Sequence, residues 1–445
     1  MLRKISIATG IILGLVVIGG GIYWFSIPKE ARNMMTFMMF TGGNYENYEV
    51  YQVIERNETP VQPAGPEKIV AESTQGDNNV NIVSATEMVQ NNTSSMLKRA
   101  YMQRTGINDY TGWAILAVEG AEEGEYPYGP SPLSYYTAGV ATNLHTQIDM
   151  AARAVGVVLD DVTVEVVNDF NWDRMMDDDG TGHLAKTAVS ILVESEGTAA
   201  EIKRVKEIAI DAWAAGQALM NKTAVSTNLM INGDNWDNYH VGSGTSESDE
   251  SYDGDLKLSS VTPEIKYPKY AELWDGEDAG MSIDTVNNLT FQIYAISETL
   301  DKSERPDFKR VTISSPTGET WEMYSDEFMS EDDKPLAPTS LEYFTVGTTL
   351  CLTSQTTLVG AMMGIDYDDY RVEHRFEYSQ KEFGSSDMKG SLDMVHSYVF
   401  IDSDESKETL EKFFSKSLAL CFAGEGLVNE TEMDINTYLN GNELR

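Results

Sequence analysis

One fixed self-match constrains this chain more than anything else in it. The stretch "YGPSPLSYYTAGVATNLHTQ" (128–147) lines up with "LAPTSLEYFTVGTTLCLTSQ" (336–355) at an offset of 208 residues, Asn143 falling on Cys351. Pro130/Pro338, Tyr135/Tyr343, Thr137/Thr345, Gly139/Gly347 and Gln147/Gln355 are identical on that register. It continues without a gap. Gly156 meets Gly364, and Asp160–Asp161 meets Asp368–Asp369. Further on, "WAAGQALMNKT" (213–223) meets "CFAGEGLVNET" (421–431), and "INGD" (231–234) meets "LNGN" (439–442). Chance does not hold one offset so long, so the chain reads as a duplicated unit.

Each copy carries the same punctuation. In the second, "NNLTFQIYAIS", "FKRVTIS" and "TWEMYS" alternate as strands do, and a long apolar helix follows over about Ser340–Met363. Thr339 or Ser340 would cap it and Gly364 would end it. Then come a hairpin ("YRVEHRFEY", "GSLDMVHSYVFID"), a second helix over about Ser406–Ala423 and a last strand, "MDINTYL". The expected fold class is α+β, two tandem βββ-α-ββ-α-β domains at 70–237 and 276–445. Between them lies a solvated acidic, Gly/Ser-rich linker, 238–275, which contains "HVGSGTSESDESYDGD".

Upstream, "ISIATGIILGLVVIGGGIYWF" (Ile5 to Phe25) is 21 uncharged residues, about 30 Å as a helix and enough to cross a bilayer. Arg3 and Lys4 precede it, Tyr23 and Trp24 stand where interfacial aromatics belong, and "SIPKEAR" offers no good cleavage site. Residues 1–27 are therefore expected to be an uncleaved anchor in membrane lipid and 28–69 a membrane-proximal segment. The bulk is expected on the extracytoplasmic face, although Lys29 and Arg32 dilute the charge signal. The formal net charge of −39 excludes nucleic acid as a partner, since its binders need a basic face. It also disfavours docking on anionic lipid and suits a solubilising surface.

Two cysteines, Cys351 and Cys421, cannot make a disulfide framework. Both lie in apolar helical surroundings, and two readings are open. They are a buried pair packed as small hydrophobes, or a reactive couple that shuttles between thiol and disulfide.

The copies resemble the OsmC/Ohr family of thiol peroxidases. The carriers are "GPSPLSYYTAGVATN" and "APTSLEYFTVGTTLC", with Cys421 in the family's second cysteine position; the resemblance covers about 70–235 and 280–445. It implies an intertwined dimer, here supplied by one chain as an intramolecular pseudo-dimer. It also implies Cys351 as peroxidatic and Cys421 as resolving cysteine, Glu342 as the family's carboxylate near the first helix, and Arg310 as the arginine that holds the thiolate, with Arg99 its first-copy equivalent. The implied activity is reduction of organic or lipid hydroperoxides, recycled by an unidentified thiol reductant without cofactor or metal. Asn143 and Trp213 occupy the cysteine positions of the first copy, which excludes thiol chemistry there. Ser340 and Phe422 stand in the second copy where the family writes proline. The alternative is a non-catalytic scaffold that meets protein partners in a membrane assembly.

Other motifs add little. The five histidines show no metal-ligand spacing, and His374 reads as a strand-surface residue. "DRMMDDDGTG" lacks the alternating register of a calcium loop and sits where a hairpin turn is due. Sequons at Asn57, Asn91, Asn92, Asn221, Asn288 and Asn429 matter only on a glycosylating route.

Overall fold

A computed structural model describes Lys29, Arg32, Asn33 and residues 54–57, 79–88, 97–105, 112–119, 129–235, 282–285, 288–301, 305–315, 320–327 and 337–444. The expected anchor, Ile5 to Phe25, lies outside them. Among the described residues no helix is long and apolar enough to cross a membrane.

The fold is α+β, with two sheets and six helices among the described residues. The first half supplies β1 (Ile54–Asn57), β2 (Asn79–Met88), β3 (Lys98–Thr105), β4 (Gly112–Ala117), helix α1 (Pro132–Val155), the hairpin β5 (Asp161–Asp173) and β6 (Thr181–Glu194), α2 (Ala199–Ala212), α3 (Ala214–Met220), β7 (Ala224–Ile231) and β8 (Asp234–Asn235). The second half supplies β9 (Ser282–Thr285), β10 (Asn288–Asp301), β11 (Arg305–Ser314), β12 (Thr320–Asp326), α4 (Ser340–Met363), β13 (Asp369–Lys381), β14 (Lys389–Asp402), α5 (Lys407–Ala419), α6 (Phe422–Val428), β15 (Glu432–Leu439) and β16 (Asn442–Glu443).

Each sheet is built from both halves. The first runs β1-β4-β3-β2-β13-β14-β7-β8 and the second β12-β11-β10-β5-β6-β15-β16, with β9 beside β10. Strand β2 pairs antiparallel with β13, Ser84 opposite His374, and β10 pairs antiparallel with β5, Ser297 opposite Val164. The joins β14–β7 and β6–β15 are parallel. A hairpin of one half thus sits inside the other half's sheet, and neither half has a sheet of its own.

The long helices lie back to back between the sheets, α1 on the second and α4 on the first. Ser131 caps α1, its Oγ accepting from the Ser134 N–H, and Pro132 fills the first turn, where no N–H is needed. Thr339 caps α4 through a reciprocal box with Glu342. Gly156 and Gly364 end the two helices at φ 73° and 69°, the left-handed region glycine enters freely. Helix α4 is buried nearly all round, yet carries many threonines. Thr348, Thr349, Thr353, Thr356 and Thr357 each donate to the carbonyl four residues back, so these hydroxyls go into the core already paired. The helices touch at Gly139 and Gly347. A Cβ on Gly139 would stand 2.4 Å from the Phe344 nitrogen, and one on Gly347 2.4 Å from the Tyr136 nitrogen. Only glycine lets the backbones come this close.

The second helix of each half differs from the sequence expectation, because it is broken. In the second half α5 stops at Ala419, Cys421 turns extended (φ −79°, ψ 102°) and α6 starts at Phe422. The first half breaks at Trp213. His374 also departs from its expected surface place. It shares the inner face of β13 with Val372, Phe376 and Tyr378, is buried, and bonds through Nε2 to Ser397 Oγ at 2.9 Å.

Candidate functional site

The helix break places Cys421. As N-cap of α6 it turns its sulfur toward the helix start, where Sγ accepts from the Gly424 N–H at 3.4 Å. Cys351 sits in the middle of α4, one turn past the glycine crossing, facing α6. The two sulfurs are 3.6 Å apart, and both residues are buried as free thiols. The Ala423 N–H donates to Cys351, which favours thiolate. Burial is the larger effect and pushes the Cys351 thiol well up, reinforced by Cys421 and by Glu119.

The charged groups at the pair come from the other half. Lys98 opens β3 and is fully buried. Burial brings its ammonium down to about 8, opposed by Glu119 and Cys351. Glu119, just past β4, is raised by burial, opposed by Lys98 and by a hydrogen bond from Ser354 on α4. The centre therefore joins Cys351, Cys421 and Ser354 of the second half to Lys98 and Glu119 of the first.

Arg310 stands elsewhere. Its strand β11 belongs to the second sheet, on which α1 packs, and its guanidinium pairs with Glu298 at 2.8 Å and Glu322 at 3.9 Å. Strand alternation explains the displacement. Lys98, Ala100 and Met102 point inward, so the neighbouring Arg99 points out, its guanidinium 5.2 Å from the Tyr101 ring. Lys309 and Arg310 repeat this on β11, Lys309 being the buried one. Because sheets are shared, Lys98 reaches the second half's cysteines and Lys309 the first half's α1. Glu342 serves the helix start: its carboxylate accepts from the Thr339 N–H at 2.7 Å as the far side of the helix cap.

The sequence reading, which expected an intertwined pseudo-dimer, missed Lys98 and Glu119 as the first half's part in the site. The signals were available: "LKRA" against "FKRV" pairs Lys98 with Lys309, and Glu119 and Glu327 stand 208 residues apart. The missing step was which strands are exchanged, and so which half's lysine faces the sulfurs.

The matching position in the first half is filled. Asn143 replaces a cysteine, accepting at Oδ1 from the Ala215 N–H at 3.1 Å and donating from Nδ2 to Ser340 Oγ at 3.0 Å. Trp213, fully buried, donates to the Val140 carbonyl at 3.0 Å. Lys309 there salt-bridges Asp149 at 2.5 Å, and His145 Nδ1 bonds to Ser297 Oγ at 2.9 Å. The Ser340 N–H donates to Glu327 at 2.5 Å, a bond proline could not make. Phe422 stacks on Trp172 with centroids 4.9 Å apart, edge-on to Phe170 and Phe291.

No family model matches the chain, and no curated protein matches it. Among solved structures, an OsmC-like hydroperoxide resistance protein from Jannaschia sp. CCS1 is similar at 16% identity, over 31% of this chain and 87% of that one, with a TM-score of 0.23. Likeness at that level supports no statement about chemistry, which rests on the site itself.

Proposed function

We propose that the protein is an OsmC-like, thiol-dependent peroxidase, built as a duplicated pseudo-dimer with one working centre of the two, and that it reduces organic or lipid hydroperoxides. The observation that carries this reading is the pair of thiols 3.6 Å apart on separate helices, with Lys98 and Glu119 beside them. A thiolate is the nucleophile toward peroxide. The Cys351 sulfur attacks the terminal peroxide oxygen and the O–O bond breaks. The sulfur is oxidised to sulfenic acid, and the alkoxide takes a proton from the Lys98–Glu119 pair to leave as alcohol. The Cys421 thiol then attacks the sulfenic sulfur, an S–S bond forms, and water leaves with the hydroxyl. An external dithiol returns both cysteines to thiols by exchange. Lys98 offsets the burial that keeps Cys351 protonated, the part the sequence reading gave to Arg310. The apolar stretch Ile5 to Phe25 would hold the site beside oxidised lipid.

The test is consumption of cumene hydroperoxide with a dithiol reductant. Cys351→Ser should abolish turnover, and Cys421→Ser should allow one oxidation and then stall as a sulfenic acid. Turnover unchanged in Cys351→Ser removes the proposal.

The burial of both sulfurs favours a second reading, a scaffold whose cysteines are packing residues. In that case neither thiol is alkylated at neutral pH while the protein stays folded.

A further inference from the structure

Tyr136 breaks the repeat in the same place as the cysteines. It lies on α1 and matches Phe344 on α4, and the two rings stack across the glycine crossing with centroids 4.7 Å apart. Phenylalanine thus fits this environment, and a hydroxyl is not needed to fill it. The Tyr136 hydroxyl is nevertheless there, fully buried and with no hydrogen-bond partner. Burying an unpaired hydroxyl is unfavourable, so such a group calls for an explanation.

A second exchange makes room for it. Gly426 on α6 matches Ala218 on α3. A Cβ on Gly426 would stand 3.2 Å from the Tyr136 hydroxyl oxygen, closer than most real contacts. The first half carries tyrosine and alanine at these positions and the second phenylalanine and glycine, so the tyrosine of one half meets the glycine of the other. The enlarged ring and the emptied Cβ position fall at the surviving sulfur pair, and the Tyr136 hydroxyl lies within electrostatic reach of both sulfurs.

We propose that the Tyr136 hydroxyl, supplied by the first half, is a hydrogen-bond donor to the sulfur centre of the second: it donates to the Cys351 thiolate, and after attack to the oxygen that sulfur carries. Donation to the thiolate is independent of the peroxidase reading and rests on the unpartnered hydroxyl, its place against Gly426 of α6 and its electrostatic reach to the sulfurs; donation to the bound oxygen rests on the peroxidase reading. The proton stays on tyrosine throughout, and no electron is transferred. The hydroxyl steadies charge that is on sulfur first and on the sulfenic oxygen next. The other ionisable groups around the centre are Lys98 from β3, Glu119 after β4, Tyr370 and Tyr378 from β13, and Cys421 itself.

The experiment compares wild type with Tyr136→Phe, whose new residue already occupies the matched position 344. Two rates are followed on full-length, reduced protein: alkylation of Cys351 by iodoacetamide across pH, located by mass spectrometry, and single-turnover oxidation by cumene hydroperoxide. Loss of the donor should move the alkylation midpoint up by about half a pH unit or more and slow oxidation by about tenfold. Thermal unfolding confirms that the variant is folded. Gly426→Ala, which keeps the tyrosine but crowds its hydroxyl, should shift the same midpoint. A midpoint equal to wild type in folded Tyr136→Phe overturns the inference, whatever the peroxide data show. If the midpoint shifts but wild type does not consume peroxide, the donor stands and the peroxidase reading falls. If wild type consumes peroxide and Tyr136→Phe matches it in both rates, the reading stands and the donor falls.

Discussion

Oxidation of the sulfur pair should stabilise the fold by an amount that can be worked out. The thiols are 70 residues apart in sequence and 3.6 Å apart in space. Closing them to the roughly 2.05 Å of a disulfide needs a movement of about 1.5 Å, which a side-chain rotation at the extended Cys421 can supply. Tying a loop of that length removes entropy from the unfolded chain worth about 4 kcal/mol. By linkage the fold favours the disulfide by the same amount, placing its potential about 90 mV below that of the same pair in the unfolded chain. Reduced protein and protein oxidised with one equivalent of peroxide should be unfolded in guanidinium, after mass spectrometry has shown the loss of two hydrogens within one chain. The oxidised midpoint should rise by a few tenths molar. If a verified Cys351–Cys421 bond leaves the midpoint unchanged or lowers it, closing the bond strains the fold, and the geometric argument for a resolving partner fails.

Removing the buried cation, Lys98→Met, should raise the pH at which Cys351 is alkylated and slow its oxidation, because the burial penalty on the thiolate loses its counterweight; an unmoved alkylation profile refutes the role given to Lys98. His374 is held neutral by burial, its folded value about 3 against 6.5 when free. The unfolded chain takes up the proton first, so this stabilisation is whole above about pH 6.5 and is lost as pH falls toward 3, roughly 2 kcal/mol by pH 5. Chemical denaturation of wild type and His374→Gln between pH 7 and 4 should show the variant less acid-labile, and parallel pH curves would show the histidine is not responsible. Gly347→Ala puts a Cβ 2.4 Å from a backbone nitrogen, so the helices must part. A loss of about 3 kcal/mol or more is expected in thermal unfolding, and a loss within experimental error would mean the crossing is not close-packed.

What the sequence revealed and what it withheld divide along the range of the interactions. Helix α4 has the expected bounds, Ser340–Met363, because Thr339, Glu342 and Gly364 act on their own backbone within a turn. The strands from "NNLTFQIYAIS" to "MDINTYL" stand as elements for the same local reason. The break at Cys421 is also local, but nothing in "LALCFAG" announces it, since its residues suit a continuous helix. Lys98 was missed by a single position: with Lys and Arg adjacent on a strand, one faces in and one out, and the pattern alone does not say which. His374 was misplaced by the same ambiguity. The strand exchange that brings Lys98, Glu119 and Tyr136 to Cys351 is non-local and leaves no mark on any single segment.

That exchange has a consequence for how the chain is made. Helix α1 leaves the ribosome 208 residues before its partner α4, roughly 10–40 s at ordinary elongation rates. For most of that interval β5–β6 has no β10 beside it, and throughout it α1 has no α4 against its glycine. Nascent protein must therefore be shielded until translation is nearly finished. Once finished, the halves are laced so thoroughly that cutting the peptide between them should not release either one.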